Sequence, residues 1–159
     1  MKHLFIARHG NYGFDSRLDN SGLRQMNNLG RAINEIMNGG STKVISSTAP
    51  RALDSAEALI AQLGLSKFEH VPYLWFGTDS PKDSYYWMPD RYKLLDLVNE
   101  QKDGIDGLVM VTHLEVANQF PNFYCEKVLG KYFSIGEISK GRAVHINLEE
   151  LSYQTLPKW

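Results

Sequence analysis

Apolar residues occur along this chain in two alternating patterns, short continuous runs and stripes at helical spacing. The runs predict strands at residues 2–7, 43–47 and 107–112, and an alternating run predicts another at residues 143–148. The stripes predict helices that begin after residue 21, span residues 50–63, and run from residue 89 or 90 to residue 103. Because strands alternate with helices, we predict an α/β fold of three layers with a mostly parallel central sheet. Residues 1–159 are expected to form a single domain.

The ends of several elements depend on particular residues. Ser21 or Asn20 is expected to cap the first helix, whose apolar stripe begins at Leu23. A later helix is predicted to begin at residue 114. Pro121 is expected to interrupt it and to restart it up to Leu129. Two further strands are predicted, at residues 68–73 and, as an edge strand, at residues 132–138.

Composition narrows the classes of function. The chain has 43% apolar and 22% charged residues and a net charge of -1, so nothing in its charge favours nucleic acid or an anionic membrane. Cys125 is the only cysteine, which excludes an intrachain disulfide and suits a reducing compartment. The amino terminus has too short an apolar run for a signal peptide, and no run is long enough to cross a bilayer. We therefore expect a cytoplasmic protein.

Basic side chains follow three separate strands at the point where each strand ends. Arg8 and His9 come directly after the first strand. Arg51 opens the helix after the second, and His113 follows the apolar run at residues 107–112. Because the carboxyl ends of parallel strands meet at one edge of a sheet, these four side chains are expected to lie together. Guanidinium groups hold phosphate oxygens and a neutral imidazole can attack phosphorus, so the pattern predicts phosphoryl transfer through a phosphohistidine.

Each of these residues alone also has an ordinary structural explanation. A histidine near a strand end is more often structural than catalytic, and an arginine such as Arg51 at a helix start is more often solvated. His3, His70 and His145 have no comparable placement, so we interpret them as structural or exposed.

Four segments, in the right order, resemble motifs of the histidine phosphatase superfamily, which has the phosphoglycerate mutase-like fold. Arg8-His9-Gly10 is similar to its signature, and residues 18–25 resemble its Leu-Thr-x-x-Gly-x-x-Gln segment. Residues 46–57 are similar to its Ser-Ser-x-x-x-Arg-Ala-x-x-Thr-Ala-Glu segment, and residues 109–113 resemble the strand that carries its second histidine. The resemblance covers most of the chain up to His113.

This resemblance implies a role for each matching residue. His9 would be the phosphorylated nucleophile. The groups that would bind the phosphoryl group and stabilise its transition state are Arg8, Arg51 and His113, with hydrogen bonds added by Asn11 and by the backbone amide of Leu114. The resemblance implies neither a metal nor an organic cofactor.

The chain departs from the family pattern at the general acid. Many members carry a glutamate two residues after a leucine that follows the third strand, and at that spacing from Leu74 this chain has Phe76. A general acid is typically worth ~10²- to 10⁴-fold in rate. The carboxylates that could replace it are Asp79, Asp83 and Glu115, each of which also fits an ordinary surface residue. We prefer Asp79 because its loop lies nearest the family's acid position.

Three functions are compatible with these observations. The first is a phosphomonoesterase acting on a phosphorylated small molecule or a phosphoprotein. The second is a mutase, which we rank lower because the chain has little room for the cap that mutases of this family carry. The third is a phospholigand-binding protein with weak turnover, which Phe76 favours. An aromatic loop at residues 85–87 either lines the site or packs on the core, and the oligomeric state is not predicted.

Overall fold

The computed structural model describes residues 1–75 and 89–158, which form one sheet with helices on both faces. The elements are β1 (His3–Arg8), α1 (Asn20–Met37), β2 (Thr42–Ser46), α2 (Pro50–Leu63), β3 (Glu69–His70), α3 (Arg91–Gln101), β4 (Gly107–Thr112), α4 (Leu114–Tyr124), β5 (Ala143–Asn147) and β6 (Ser152–Leu156). A 3₁₀ turn at Pro72–Leu74 follows β3, and a π turn at Cys125–Leu129 extends α4.

The sheet has the strand order β3-β2-β4-β1-β5-β6. β3, β2, β4 and β1 run parallel, whereas β5 pairs with β1 and with β6 in antiparallel fashion. The predicted mostly parallel sheet is therefore confirmed. Because β4 lies between β1 and β2, the carboxyl ends of these three strands are neighbours at one edge.

Alternate residues of β1 bury against opposite layers. Leu4 and Ile6 belong to a core that includes the apolar faces of α3 and α4. Phe5 and Ala7 belong to a second core, formed with α1 and α2. All four side chains are fully buried. A central strand covered on both faces fixes the three-layer arrangement and leaves only its end free to carry polar groups.

The start of α1 differs from the prediction. Asp19, and neither Ser21 nor Asn20, caps the helix: its Oδ1 accepts a hydrogen bond from the Gly22 amide at 2.7 Å. Leu23 is 47% exposed, so the buried stripe begins at Met26. The cap lies earlier than predicted because an aspartate in extended backbone satisfies the free amides of the first turn.

Two predicted strands are also corrected. β3 contains only two residues, because Pro72 has no amide hydrogen to continue the ladder and begins the 3₁₀ turn instead. Residues 132–138 form no strand. β6, which was not predicted, occupies the edge of the sheet beside β5, and Asn122 holds both the amide and the carbonyl of Ile135.

Pro121 does not interrupt α4, which continues through it to Tyr124. The proline removes one backbone hydrogen bond, but the apolar face of the helix is buried on both sides of it, with Phe120 and Phe123 packed in the core. The sequence prediction gave too little weight to this burial. Packing of an amphipathic face provides most of the stability of a helix in a protein.

Two glycines let the first turn of α1 lie directly against the loop after β1. A Cβ atom on Gly10 would lie 2.7 Å from the Gly22 carbonyl oxygen, and one on Gly22 would overlap the carbonyl of Asn11. Both obstacles are backbone atoms, which cannot rotate away as a flexible side chain can. Glycine at these positions is therefore needed to bring the helix close to the segment that carries His9.

We predict that Gly22→Ala lowers the free energy of unfolding by about 1–3 kcal/mol, the usual cost of forcing extra volume into a packed contact. Urea unfolding monitored by circular dichroism measures the change. Gly136→Ala is the matched control, because a Cβ there meets no atom within 4 Å. Equal losses in the two variants would show that the close approach does not restrict position 22.

Candidate active site

His9 lies at the carboxyl end of β1 and is only 4% exposed. Its Nδ1 is 2.8 Å from the carbonyl oxygen of Gly10. A carbonyl can only accept, so Nδ1 carries the proton and Nε2 carries the lone pair. The Arg51 Nε–H donates to that same Nε2 at 3.2 Å. The two contacts fix one tautomer of a neutral imidazole and direct its lone pair toward Arg51.

The surroundings of His9 keep it neutral. Burial, joined by the charges of Arg51, Arg8 and Lys140 and partly opposed by the hydrogen bond to the Gly10 carbonyl, lowers the pKa of His9 from 6.5 to about 4. Protonation would place another cation in a buried and already positive site. His9 is therefore an unprotonated base, with its lone pair available, throughout the neutral pH range.

His113 directly follows β4, and its ring centroid lies 5.0 Å from that of His9. The Arg51 Nη2 group donates toward its Nδ1 at 3.4 Å, so the opposite nitrogen, Nε2, carries the proton and donates to the Ser47 hydroxyl at 2.7 Å. Burial, together with repulsion from a protonated His9 and from the two arginines, holds the pKa of His113 well below its usual value. The second histidine is thus also neutral in the unliganded site.

Arg51 bridges the two histidines and is itself held between aromatic rings. Its Cζ lies 4.7 Å from the ring centroid of Tyr12 and 5.2 Å from that of Trp75. The Trp75 ring stacks on His113 with a centroid separation of 5.2 Å and an interplanar angle of 17°. Such cation–π contacts restrict the guanidinium to one position without neutralising its charge.

Arg8 completes the basic cluster from the end of β1. Its Nη1 donates to the Ile138 carbonyl at 3.0 Å and lies 3.8 Å from the Glu137 carboxylate. Its buried Nε has no hydrogen-bond partner within residues 1–75 and 89–158. The charge of Arg8 contributes to the lowered pKa of both His9 and His113, which places it within electrostatic reach of both rings. An entering anion would find this donor unused.

Backbone and hydroxyl contacts hold the loop that carries His9. The Ser55 hydroxyl accepts from the Gly10 amide at 3.1 Å and donates to the Arg51 carbonyl at 2.6 Å. On the other side, the Gly141 amide lies 3.1 Å from the Arg8 carbonyl oxygen and 2.9 Å from that of His9. The loop is thus joined both to α2 and to the segment before β5.

The structure places the remaining predicted residues at the border of the cluster or outside the described part. Asn11 is half-buried, with its backbone N–H donating to Oε1 of Gln25 at 2.9 Å and its side-chain Nδ2 lying 3.4 Å from the Ser21 hydroxyl. Leu114 is the first residue of α4, where helical amides have no partner within the helix. Three residues of the general-acid hypothesis lie outside the described residues: Phe76, Asp79 and Asp83.

Sequence reasoning missed several residues that shape the site. Ser47 had a usable signal, because it follows β2 as His9 follows β1. Trp75 and Lys140 had none, since each approaches the site through a loop whose path no periodicity predicts. His145 is buried in the middle of β5, opposite Phe5, where its ring lies 3.1 Å from that of His3 and 3.0 Å from the Gln154 side chain, and His70 is exposed.

No protein-family model and no curated protein matches this chain. Solved structures do match. The protein histidine phosphatase SixA, solved with tungstate, is 17% identical with a TM-score of 0.65, covering 99% of this chain and 94% of that one. A mycobacterial glucosyl-3-phosphoglycerate phosphatase solved with VO3 is 16% identical with a TM-score of 0.63, covering 99% of each chain. A putative alpha-ribazole-5'-P phosphatase from Escherichia coli is 15% identical with a TM-score of 0.59, covering 97% of this chain and 94% of that one.

These matches extend over nearly the whole of each chain, and the chain has the phosphoglycerate mutase-like fold of the histidine phosphatases. The fold predicted from the resemblance is therefore confirmed. In the part of the chain that the structure describes, no group of three or more His, Cys, Asp or Glu side chains is arranged to hold a metal ion. Among the same residues, no helix is both long enough and apolar enough to cross a bilayer.

We predict that the free energy of unfolding decreases as the pH falls from about 6.5 to about 4. In the unfolded chain His9 has its ordinary pKa of 6.5 and takes up a proton in this range, whereas folded His9, with a pKa of about 4, does not. Each such group contributes a slope of about 1.4 kcal/mol per pH unit. Urea unfolding at a series of pH values measures the slope, and His9→Asn should make it shallower. An unchanged slope in that variant would mean that folded His9 titrates normally.

Proposed function

We propose that this protein is a phosphomonoesterase that forms a phosphohistidine at Nε2 of His9. The observation that carries the proposal is the buried neutral imidazole whose lone pair faces the Arg51 guanidinium, with Arg8 and His113 beside it. The similar folds support the same proposal, because two of those structures are complexes with tungstate and VO3, oxyanions that resemble phosphate. The proposed substrate is a phosphorylated small molecule or a phosphoprotein.

The first step would form a bond between Nε2 of His9 and phosphorus and break the ester P–O bond. Arg51 would exchange its hydrogen bond to Nε2 for bonds to phosphoryl oxygens, which frees the lone pair for attack. Arg8 has an unused buried Nε for the same purpose among the described residues. A bound dianion would also favour the cationic form of His113, which could then donate to the phosphoryl group.

The second step would be attack of water on the phosphohistidine, which releases inorganic phosphate and regenerates neutral His9. The charge on the phosphoryl oxygens is balanced by side chains of the chain itself, so the proposed reaction is independent of metal and of organic cofactors. The cytoplasmic location also remains a prediction from the sequence.

The ester oxygen that leaves in the first step needs a proton. Asp79 remains our first candidate for the donor, on the sequence argument alone. Glu115 has some structural support, because it lies in the first turn of α4, is half-buried, and its charge is near enough to raise the pKa of Arg51 against the larger, lowering effect of burial. A phospholigand-binding protein with weak turnover is the alternative if neither carboxylate serves.

We predict that His9→Ala abolishes both turnover and a trappable phosphoenzyme. The substrates are para-nitrophenyl phosphate, a phosphoserine peptide and a phosphohistidine protein, each tested with and without a chelator. His70→Ala is the matched control, since that histidine is exposed on β3. Loss of turnover in His9→Ala alone, without an effect of the chelator, is the expected result.

The same experiment separates the alternatives. Turnover in His9→Ala near the unmutated rate would contradict the assignment of His9 as the nucleophile. Hydrolysis of para-nitrophenyl phosphate alone would indicate that no acid serves esters with poor leaving groups. Tight binding of phosphate without turnover of any substrate would favour the binding protein over the enzyme.

We predict that removal of the true general acid lowers kcat by ~10²- to 10⁴-fold for an alkyl phosphate while affecting para-nitrophenyl phosphate much less, because nitrophenolate leaves without a proton. Asp79→Asn and Glu115→Gln are compared on both esters. The acid is the residue whose loss shows this dependence on the leaving group. If both variants behave like the unmutated chain on the alkyl ester, neither carboxylate donates the proton.

A further inference from the structure

A groove runs along the surface beside the basic cluster. It has a volume of about 440 Å³, and its lining residues are Tyr12, Gly13, Phe14, Ser16 and Lys140. We call it the Tyr12–Lys140 groove. None of the four basic residues of the cluster, His9 included, lines it, so it offers room beyond the phosphoryl group. Tyr12 is shared by both, because its ring lies edge-on to His9 with 5.3 Å between the centroids.

Lys140 is fixed beside the site by the backbone. The next residue, Gly141, bonds through its amide to the carbonyls of Arg8 and His9 and has a φ of 73°, a conformation that favours glycine. The Lys140 ammonium lies 4.4 Å from the Tyr12 ring centroid. The Tyr12 ring thus lies close to both the Lys140 ammonium and the His9 ring. The distance from Lys140 to His9 is at most the length of about three residues of extended peptide.

Among the described residues, nothing balances the positive charge of the groove. No carboxylate within residues 1–75 and 89–158 forms an ion pair with Lys140, and no acidic side chain lines the groove. The charge of Lys140 is also near enough to lower the pKa of His9. A second negative group on the substrate, close to the phosphate, would complement this charge.

The far wall of the groove suits a protein substrate better than an enclosed small molecule. Phe14 is fully exposed, and its loop is held in place by Asp54, which accepts from the Leu18 amide at 3.0 Å and pairs with Arg17 at 2.7 Å. Small-molecule sites usually bury most of their ligand, whereas this wall presents an apolar ring to solvent. An exposed phenyl on a braced loop can contact a side chain of another chain.

We propose that the Tyr12–Lys140 groove binds a phosphorylated protein segment in which an acidic side chain lies next to the phosphorylated residue. Lys140 pairs with that acid, and Phe14 contacts the peptide beyond it. The inference rests on the proposed function for the position of the phosphate at His9, and it makes Lys140 a residue that determines specificity.

The test compares two phosphoserine peptides of equal length, one with Asp or Glu on both sides of the phosphoserine and one with Asn or Gln there. Dissociation constants are measured by calorimetry in a His9→Ala background, so that the result does not depend on turnover. We expect the acidic peptide to bind about fivefold more tightly, the value of a partly exposed ion pair. Lys140→Gln should abolish the preference and Lys140→Arg should retain it, and added salt should weaken it.

Lys131→Gln is the matched control, because that lysine is exposed and lies beyond α4. A preference that is absent, or that survives Lys140→Gln, overturns the proposal. Free O-phosphoserine is compared with phosphoethanolamine in the same way. If the preference for O-phosphoserine over phosphoethanolamine depends on Lys140 as strongly as the peptide preference does, the groove recognises a small acid rather than a protein segment. That result also overturns the proposal.

Phe14→Ala should lower the ratio of kcat/KM for the acidic peptide to that for para-nitrophenyl phosphate in the chain with His9 intact. An unchanged ratio would remove Phe14 from the proposal. Hydrolysis of para-nitrophenyl phosphate without any peptide preference rejects the groove and leaves the proposed function standing. Peptide preference without hydrolysis or a phosphoenzyme rejects the proposed function and leaves the groove.

Discussion

The hydrogen bond from Arg51 to Nε2 of His9 depends on a histidine that is both buried and neutral, and most of the site serves that condition. The Gly10 carbonyl fixes the proton on the other nitrogen, and burial together with neighbouring cations opposes a second proton. A site prepared for a dianion is necessarily positive when empty. The two imidazoles can remain uncharged and so add no positive charge to the empty site, whereas further arginines would always be charged.

The sheet explains why these groups meet. β4 pairs in parallel with both β1 and β2, so one residue after each strand falls at the same edge. The helices α2 and α4 begin there, at Pro50 and Leu114, and Arg51 is the second residue of α2. Contacts of the chain with itself then remove the remaining freedom. Ser55 joins α2 to the loop after β1, and Trp75 covers both Arg51 and His113. Precision in the site therefore comes from several elements at once.

The fold and the four basic residues could be predicted because buried parallel strands produce continuous apolar runs, and polar residues at their ends are conspicuous. The elements and residues that were predicted wrongly or missed leave a weaker signal in the sequence. β6 is a short and mostly polar strand at the sheet edge, so it produces no apolar run, and Pro121 is tolerated because the helix around it is buried. Lys140 reaches the site through backbone hydrogen bonds of Gly141, which no side-chain pattern reports.

The same Gly141 contacts tie the carboxyl-terminal hairpin to the histidine. The amide of Gly141 bonds to Arg8 and His9 just before β5, and β5 in turn pairs with β6. Opening of this hairpin by local unfolding would remove one of the two attachments of the loop that carries His9, even while the parallel half of the sheet and the Ser55 contacts stayed in place. The lifetime of the assembled site in solution is therefore bounded by the opening rate of strands that contribute no side chain to the basic cluster.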